Sequence, residues 1–139
     1  MDFRGTYEFT LDDRGRVSIP ARYRHELERA ILTMGEDGCV EVYTEDGHAN
    51  TSRHFTVEPP TTPEGRQARR KFYGESFDIE LDRQGRILIP ASFRQRAALN
   101  GRVIIFGRKE CLEIWNPEQL AAVTGNPAAA SSAAVGPGD

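Results

Sequence analysis

The chain has 139 residues, of which 38% are hydrophobic and 28% charged, a composition typical of a soluble globular protein with one compact domain or two small halves. No stretch approaches the ~20 apolar residues of a membrane-spanning helix, and residues 1–5 carry no apolar signal region, so we expect a cytoplasmic protein without membrane contact. The formal net charge of −3 gives no reason by itself to expect a polyanionic partner.

The charge is unevenly distributed along the chain. Residues 35–63 hold six carboxylates and one arginine, whereas residues 64–75 hold four basic and two acidic side chains. A protein with such patches can bind phosphates through one arginine-rich face while its other faces are acidic. The total charge therefore does not exclude nucleic-acid binding.

The first half of the chain predicts a hairpin, a short helix and a second hairpin. Residues 6–11 are rich in β-forming residues, Asp12–Gly15 has the composition of a tight turn, and Arg16–Ile19 returns as the second strand. Pro20 suits the first turn of a short helix, where its missing N–H is not needed. The second hairpin is predicted from two further apolar runs, residues 31–35 and 39–43.

The segment between the two halves shows little periodicity. Residues 44–63 contain glycine, asparagine and three prolines, and are predicted to be irregular. A basic helix is predicted from Pro63 to Gly74, because proline is favoured at the start of a helix and glycine at its end. The tail at 124–139 is rich in Ala, Ser, Gly and Pro and is predicted to be disordered.

The second half of the chain repeats the first. Residues 6–27 and 76–97 are identical at eight of 22 positions when offset by 70, and the second hairpins match at an offset of 72. Cys39 and Cys111 occupy matching strand positions, which indicates core packing rather than a disulfide. These matches divide the chain into four parts: a first repeat at 5–47, a linker at 48–75 with the basic helix, a second repeat at 76–123 and the tail at 124–139.

Neither half is large enough to be stable alone, because two short hairpins and two turns of helix bury too little apolar surface. We therefore expect the two halves to form one closed β-structure related by a pseudo-twofold axis, which would also remove the strand edges that each half exposes. The predicted fold class is α+β, mostly β with short helices, built from two pseudo-symmetric halves.

A repeated motif carries a resemblance to a known family. Leu11-Asp12-x-x-Gly15-Arg16-x-x-Ile19-Pro20 recurs as Leu81-Asp82-x-x-Gly85-Arg86-x-x-Ile89-Pro90, with Phe3-Arg4-Gly5 before it and Glu113-Ile114-Trp115 after it. These features resemble the MraZ family, a tandem member of the AbrB/SpoVT-like swapped-hairpin DNA-binding class. The resemblance covers about residues 3–123. The chain departs from the family at 44–63, where members usually have a longer amphipathic helix.

The resemblance implies a sequence-specific transcription regulator that binds double-stranded DNA. Its targets would be repeated boxes in its own promoter, at the head of a bacterial division and cell-wall gene cluster. It would act in the cytoplasm, at the nucleoid, as a ring-like homo-oligomer. Phosphate contacts would position the oligomer, and a few arginines would read bases.

Arginine is suited to reading DNA because its planar guanidinium can donate two hydrogen bonds to guanine or bind a phosphate. The resemblance places a DNA-contacting arginine at Arg16. Arginines of the same hairpin and helix, and their second-half counterparts, complete the DNA-binding candidates: Arg14, Arg16, Arg22, Arg24, Arg86 and Arg94. The residues expected to shape the two turns are structural: Asp12, Gly15, Asp82 and Gly85.

These arginines also have a simpler interpretation as a solvated charged face. Arg24 and Arg94, in particular, could pair with neighbouring carboxylates instead of DNA. The basic residues of the helix at 63–74 are expected to form a solvated face or a subunit contact rather than the primary reader of DNA: Arg66, Arg69, Arg70 and Lys71.

Other kinds of site lack support in the sequence. The histidines have no metal-ligand spacing, and no Cys-x-x-Cys pair, Gly-rich phosphate loop or nucleophile elbow is present. We therefore expect no metal, no cofactor, no small-molecule substrate and no enzymatic activity. Two other functions stay open: an AbrB-like antidote module that binds a toxin protein, and a purely structural β-domain. Antidote modules usually carry one motif copy and a long toxin-binding tail, and this chain has two copies and a short tail.

Overall fold

The computed structural model describes residues 1–125, in which short strands and helices alternate. The strands within this range are β1 (Thr6–Thr10), β2 (Arg16–Ser18), β3 (Arg29–Met34), β4 (Val40–Tyr43), β5 (Phe77–Glu80), β6 (Arg86–Leu88), β7 (Arg102–Gly107) and β8 (Leu112–Trp115). The helices are α1 (Glu45–Phe55), α2 (Pro63–Gly74), α3 (Ala91–Arg96) and α4 (Pro117–Thr124), with a single 3-10 turn at Ala21–Tyr23. No helix among these residues is long and apolar enough to cross a membrane. From residue 126 onward, the tail predicted to be disordered lies outside the described residues.

Six strands form one antiparallel sheet, and the other two form a separate ribbon. The order in the sheet is β1-β7-β8-β4-β3-β5, and β2 pairs with β6 in the ribbon. β1 and β5 lie at the two edges of the sheet and are not paired with each other in the part of the chain that the structure describes. The predicted mixed fold of two repeat halves is confirmed, but the expected closure of the β-structure is not. The repeat boundaries at 5–47 and 76–123 stay a prediction.

The first two strands of each half are exchanged between the halves. β1 pairs with β7, β5 with β3, and β2 with β6, so each of these strands has its partner in the other half. The local hairpin predicted between residues 6–11 and Arg16–Ile19 is therefore wrong, although both strands are present. The turn between them still closes, because the Asp12 N–H donates to the Arg16 carbonyl at 2.9 Å. The swapped arrangement that the resemblance implies is the one observed.

The second hairpin of each half forms as predicted from the sequence. β3 pairs with β4 in the first half, and β7 pairs with β8 in the second. β4 also pairs with β8, which places Glu41 directly opposite Glu113. The pseudo-twofold axis thus brings the same residue type from both halves together within the sheet.

The two halves share one hydrophobic core. Val17 and Ile19 from the first half lie in the same buried cluster as Ile87 and Ile89 from the second, and none of the four is more than 1% exposed. Because apolar side chains from both halves complete this cluster, each half by itself would leave it open to water. The core therefore fixes β2 and β6 side by side.

Pro20 and Pro90 precede the short helical segments and do not form part of them. Their ψ angles of 132° and 143° are extended, and the helical residues begin at Ala21 and Ala91. Pro20 is predicted to lie in the first helical turn, but it directly precedes that turn, which begins one residue later. The fixed φ of proline is compatible with both positions.

The prediction of an irregular segment over residues 44–63 is wrong, because Glu45–Phe55 forms α1. The Thr44 side chain caps this helix by accepting a backbone N–H bond at 2.9 Å, and two acidic residues in the first turn favour its N-terminus. The buried side chains of the helix, His48 and Ser52, are polar. The apolar periodicity that normally reveals a helix is therefore missing from the sequence.

The basic helix predicted from Pro63 to Gly74 is present as α2. The Thr62 side chain caps it by accepting a backbone N–H bond at 3.0 Å. α2 packs against α1, and the Ser52 Oγ and Tyr73 Oη atoms lie 2.6 Å apart in this contact. The two helices are therefore held together by a polar contact and by the stacked rings of Phe55 and Phe72, whose centroids lie 4.7 Å apart.

His48 connects α1 to α2 and to the start of the second half. It is 6% exposed, its ring stacks on Phe72 with 4.8 Å between centroids, and its Nε2 lies 2.9 Å from the Ser76 Oγ. At the repeat offset of 72, its counterpart is Leu120 in α4, which is also buried. A histidine therefore occupies a position that an apolar side chain fills in the other half.

We expect His48 to make folding stability depend on pH below neutrality. Burial lowers the pKa of His48 below its ordinary 6.5, and the negative charge of Asp78 opposes this only in part. The unfolded chain then takes up a proton at a higher pH than the folded chain does, so stability is lost as the pH falls below 6.5. His48→Leu should remove this contribution, which denaturant unfolding at a series of pH values between about 5 and 7.5 would measure.

The control for this experiment is His54→Leu, which changes an exposed histidine of the same helix. It should keep the pH dependence of the unmodified chain. If His48→Leu keeps it as well, another group is responsible for the loss of stability in acid.

Candidate nucleic-acid interface

The turn after β1 is organised by one carboxylate. The Asp12 Oδ1 accepts hydrogen bonds from the backbone N–H groups of Arg14 and Arg16 at 2.9 and 2.8 Å, and its Oδ2 accepts from the Arg16 Nε at 2.7 Å. These bonds, led by the backbone N–H of Arg16, lower the pKa of Asp12 to about 2. The carboxylate therefore stays charged at neutral pH and fixes both the turn and the base of the Arg16 side chain.

The second half repeats this arrangement. The Asp82 Oδ1 accepts from the N–H groups of Gln84 and Arg86 at 2.8 and 3.0 Å, and its Oδ2 accepts from the Arg86 Nε at 2.9 Å. The same backbone hydrogen bond, here from Arg86, is the main reason that the pKa of Asp82 is lowered. The motif is therefore a local structural unit that forms twice.

Gly15 and Gly85 are required in the two turns for two separate reasons. Their φ angles of +83° and +75° lie in the left-handed region, which strains any other residue. A Cβ atom at Gly15 would also collide with the Arg94 guanidinium, and one at Gly85 would collide with Arg24. Each turn thus packs against an arginine from the opposite half.

The ribbon presents the motif arginines on one face. Arg16 pairs with Leu88, and Ser18 pairs with Arg86, on either side of the central pair of Val17 and Ile87. The central pair is buried, and successive side chains of a strand point to opposite faces. The two arginines therefore lie diagonally on the outward face, together with Ser18 and Leu88.

The terminal nitrogens of Arg16 are available to a partner. Only its Nε is used by Asp12, and within residues 1–125 its Nη atoms have no hydrogen-bond acceptor. The side chains of Arg16 and Arg86 are 28% and 27% exposed, so their stems are packed while their ends reach water. The Arg86 Nη1 also lies 3.8 Å from the Asp12 Oδ2, and this ion pair links the motif of the second half to that of the first.

Arg24 and Arg94 differ from the other candidates because their Nε atoms are bound to the backbone. They donate to the carbonyls of Ile19 and Ile89 at 2.9 and 3.0 Å. Within residues 1–125, neither side chain forms an ion pair with a carboxylate. Each side chain packs against the motif glycine of the opposite half, so both contribute to the packing of the turns.

Arg14 and Arg22 are exposed and lie near the ribbon in sequence. The Arg14 N–H belongs to the turn, and its side chain extends from the tip. The Arg22 guanidinium lies 5.2 Å from the ring centroid of Tyr23, in a cation–π contact. Neither guanidinium is bound to a carboxylate in the described part of the chain, so both are free to meet an anion.

Two exposed side chains of this surface were missed by sequence reasoning. Arg83 is exposed in the second turn, at the position that Asp13 occupies in the first. Leu88 is 56% exposed at the end of β6. The alternation of Arg86, Ile87 and Leu88 is the signal that could have found Leu88, because burial of the middle residue turns its two neighbours outward.

A second polar cluster lies within the sheet. Glu41 and Glu113 face each other across β4 and β8, and the Arg108 Nη1 donates to one oxygen of each at 2.7 and 3.0 Å. The Thr33 hydroxyl and the Trp115 indole N–H donate to the two remaining oxygens. Each carboxylate oxygen of the pair therefore has a donor.

This cluster also contains a cysteine, but its chemistry is unsuited to a metal. The Cys39 Sγ and an oxygen from each of Glu41 and Glu113 lie within 4.8 Å of one another. Burial, helped by the two carboxylates, raises the pKa of the Cys39 thiol far above its ordinary value, so the thiol is protonated in this cluster. All four carboxylate oxygens already accept hydrogen bonds from Arg108, Thr33 or Trp115, so this cluster is a structural hydrogen-bond network.

Comparisons with known proteins agree with one another. A family model described as "MraZ protein, putative antitoxin-like" matches residues 3–71 and 72–135. The "Transcriptional regulator MraZ" of Moorella thermoacetica is 40% identical over 115 residues, which cover 82% of this chain and 80% of that relative. The proteins of the same name from Roseiflexus castenholzii and Thermomicrobium roseum are 39% identical over 118 residues and 36% identical over 121. These matches cover 84% and 86% of this chain, and 82% and 85% of the respective relatives.

Proposed function

The chain belongs to the MraZ family of transcriptional regulators, and from this we propose that it binds double-stranded DNA sequence-specifically through the β2–β6 ribbon. The observation that carries the proposal is the outward face of the ribbon, where Arg16 and Arg86 lie diagonally across the pseudo-twofold axis. The major groove of DNA is wide enough to admit a two-stranded ribbon. A family of transcriptional regulators is not an enzyme class, and we propose no reaction.

Asp12 and Asp82 prepare these arginines for binding. Because each Nε is already held, the side chain loses less conformational freedom when its terminal nitrogens meet a base or a phosphate. Guanine offers two acceptors to such an arginine in the major groove, and this contact distinguishes it from the other bases. Arg14 and Arg22, which are more exposed, would contact phosphates and position the ribbon.

We further propose repeated boxes in the chain's own promoter, at the head of a division and cell-wall gene cluster, as the target. Several ribbons would have to lie side by side to bind such boxes, which favours a ring-like homo-oligomer acting in the cytoplasm, at the nucleoid. The strand edges of β1 and β5 support assembly, since unpaired edges tend to bind another chain.

An antidote module that binds a toxin protein is less well supported. The description of the matching family includes the word antitoxin-like, but the relatives are named as transcriptional regulators. The outward face of the β2–β6 ribbon, to which each half contributes one motif arginine, carries guanidinium groups that can bind phosphates and guanine. DNA is therefore the partner that we propose.

The proposed function is tested by titrating the full chain into two labelled duplexes. One carries the DNA upstream of the chain's own gene, and the other carries the same bases in scrambled order. We expect at least about tenfold tighter binding to the native duplex, since each specific base contact contributes about 1–3 kcal/mol. Affinity for both duplexes should fall as salt is raised, because phosphate contacts release counterions. Equal affinity for the two duplexes would contradict sequence-specific recognition.

A further inference from the structure

Leu88 is an exposed apolar side chain on the arginine face of the ribbon. It is 56% exposed, and it lies directly opposite Arg16 in the pairing of β6 with β2. The hydrophobic core of the described residues does not include it. Burial in the core therefore does not account for leucine at this position.

Its counterpart in the first half is a different kind of residue. The repeat offset of 70 relates Arg16 to Arg86 and Ser18 to Leu88. The outward face is thus symmetric in its two arginines and asymmetric in the two remaining positions, one a hydroxyl and the other a branched alkyl group. The two halves therefore present different chemistry at these two positions of the outward face.

Resting on the proposed DNA-binding function, we infer that Leu88 is a specificity-determining residue that contacts the 5-methyl group of a thymine. Thymine offers the apolar group in the major groove to which a side chain such as leucine can bind. Directly opposed residues of an antiparallel pair have Cβ atoms about 4.5–5.5 Å apart. The rise along one DNA strand is about 3.4 Å per base, so the thymine lies one or two base pairs from the base that Arg16 contacts.

The test uses the full chain and a duplex that it selects from a library with a randomised centre. Each thymine of the selected duplex is replaced in turn by deoxyuridine, which lacks only the 5-methyl group. We expect one replacement to weaken binding about three- to fivefold, the effect of losing one buried methyl group. Leu88→Ser should weaken binding to the thymine duplex by a similar factor and should bind the thymine and uracil duplexes equally. Val123→Ser, which changes an apolar side chain 52% exposed in α4, is the matched control and should keep the sensitivity to deoxyuridine.

The possible failures are distinguishable. If the chain selects a sequence but no deoxyuridine replacement changes its affinity, or if Leu88→Ser keeps the sensitivity, the role of Leu88 is wrong while DNA binding stands. If Leu88→Ser lowers the mass of the assembly in light scattering and leaves the methyl sensitivity unchanged, Leu88 contacts another copy of the chain instead. If no sequence is enriched, the proposed function is wrong and this inference with it.

Discussion

Arg16→Ala is expected to weaken binding to the native promoter duplex about ten- to hundredfold, the effect of losing one bidentate base contact worth about 1–3 kcal/mol. The fold should be preserved. The Asp12 carboxylate keeps both of its backbone hydrogen bonds in this variant, and the buried neighbour Val17 is untouched. A fluorescence titration measures the affinity, and circular dichroism measures the fold.

Two further variants show what the guanidinium contacts. Arg86→Ala removes the pseudo-symmetric side chain and should also weaken binding, whereas Arg70→Ala removes an exposed arginine from α2 and should have little effect. If Arg16 contacts a base, its loss should matter most on the native duplex. If it contacts phosphate, the loss should be similar on scrambled DNA, and the dependence on salt should shrink by about one unit of slope. Unchanged affinity in both Arg16→Ala and Arg86→Ala would show that the motif arginines are only structural.

The parts of the fold that local chemistry determines could be predicted from the sequence. The second hairpin of each half is predicted by two apolar runs that lie close together in sequence. The helix α2 is predicted by the proline at its start and the glycine at its end. The sequence repeat predicts, in addition, that both halves contain the same order of strands and helix. No local pattern, however, distinguishes a hairpin that closes on itself from one whose strands pair with the other half. That choice depends on contacts about 70 to 100 residues away in sequence, and only the family resemblance indicated it.

α1 was missed for a different physical reason. Its buried face uses His48 and Ser52, which are satisfied by Ser76 and Tyr73 from later elements. A buried polar residue is tolerated when it has hydrogen-bond partners, but those partners cannot be read from the segment itself. The cap at Thr44 was the local signal that could have predicted the helix.

The hydrogen bonds of the two turns could be predicted from the sequence, but the positions of the arginine side chains around them could not. An acid at the first turn position predicts backbone hydrogen bonds, and Asp12 makes them. The six candidate arginines, by contrast, look alike in sequence but separate in the structure. Arg16 and Arg86 face outward, while Arg24 and Arg94 are bound to carbonyls beside the opposite turn. The binding roles of these residues stay predictions until the variants are measured.

Arg108→Met is expected to destabilise the fold by about 2–4 kcal/mol at neutral pH. The Glu41 and Glu113 side chains that it would leave behind are only 10% and 7% exposed, and they face each other directly. Removing one partner of a buried ion pair costs about 3–5 kcal/mol. The expected value is lower because the Arg108 side chain is itself 37% exposed, so part of its interaction is screened by water.

The sign of the pH dependence in this variant is opposite to that produced by His48. With no cation between them, the two carboxylates repel, and a proton taken up by the folded state relieves that repulsion. The folded variant then binds the proton more readily than the unfolded chain, so the stability difference between this variant and the unmodified chain should shrink as the pH falls from about 7 to 5. Denaturant unfolding at several pH values measures this, with Arg53→Met on the exposed face of α1 as the control.

A double variant separates charge repulsion from the loss of packing. In Arg108→Met with Glu41→Gln, the new amide can accept from Thr33, as the carboxylate does now, and can donate to Glu113. We expect the double variant to recover at least about half of the lost stability and to return to the pH dependence of the unmodified chain, because only one of the two opposed charges remains. If Arg108→Met is as stable as the unmodified chain at pH 7, water must reach both carboxylates. If the double variant is no more stable than the single one, the loss comes from the missing side-chain packing of Arg108 and not from the opposed charges.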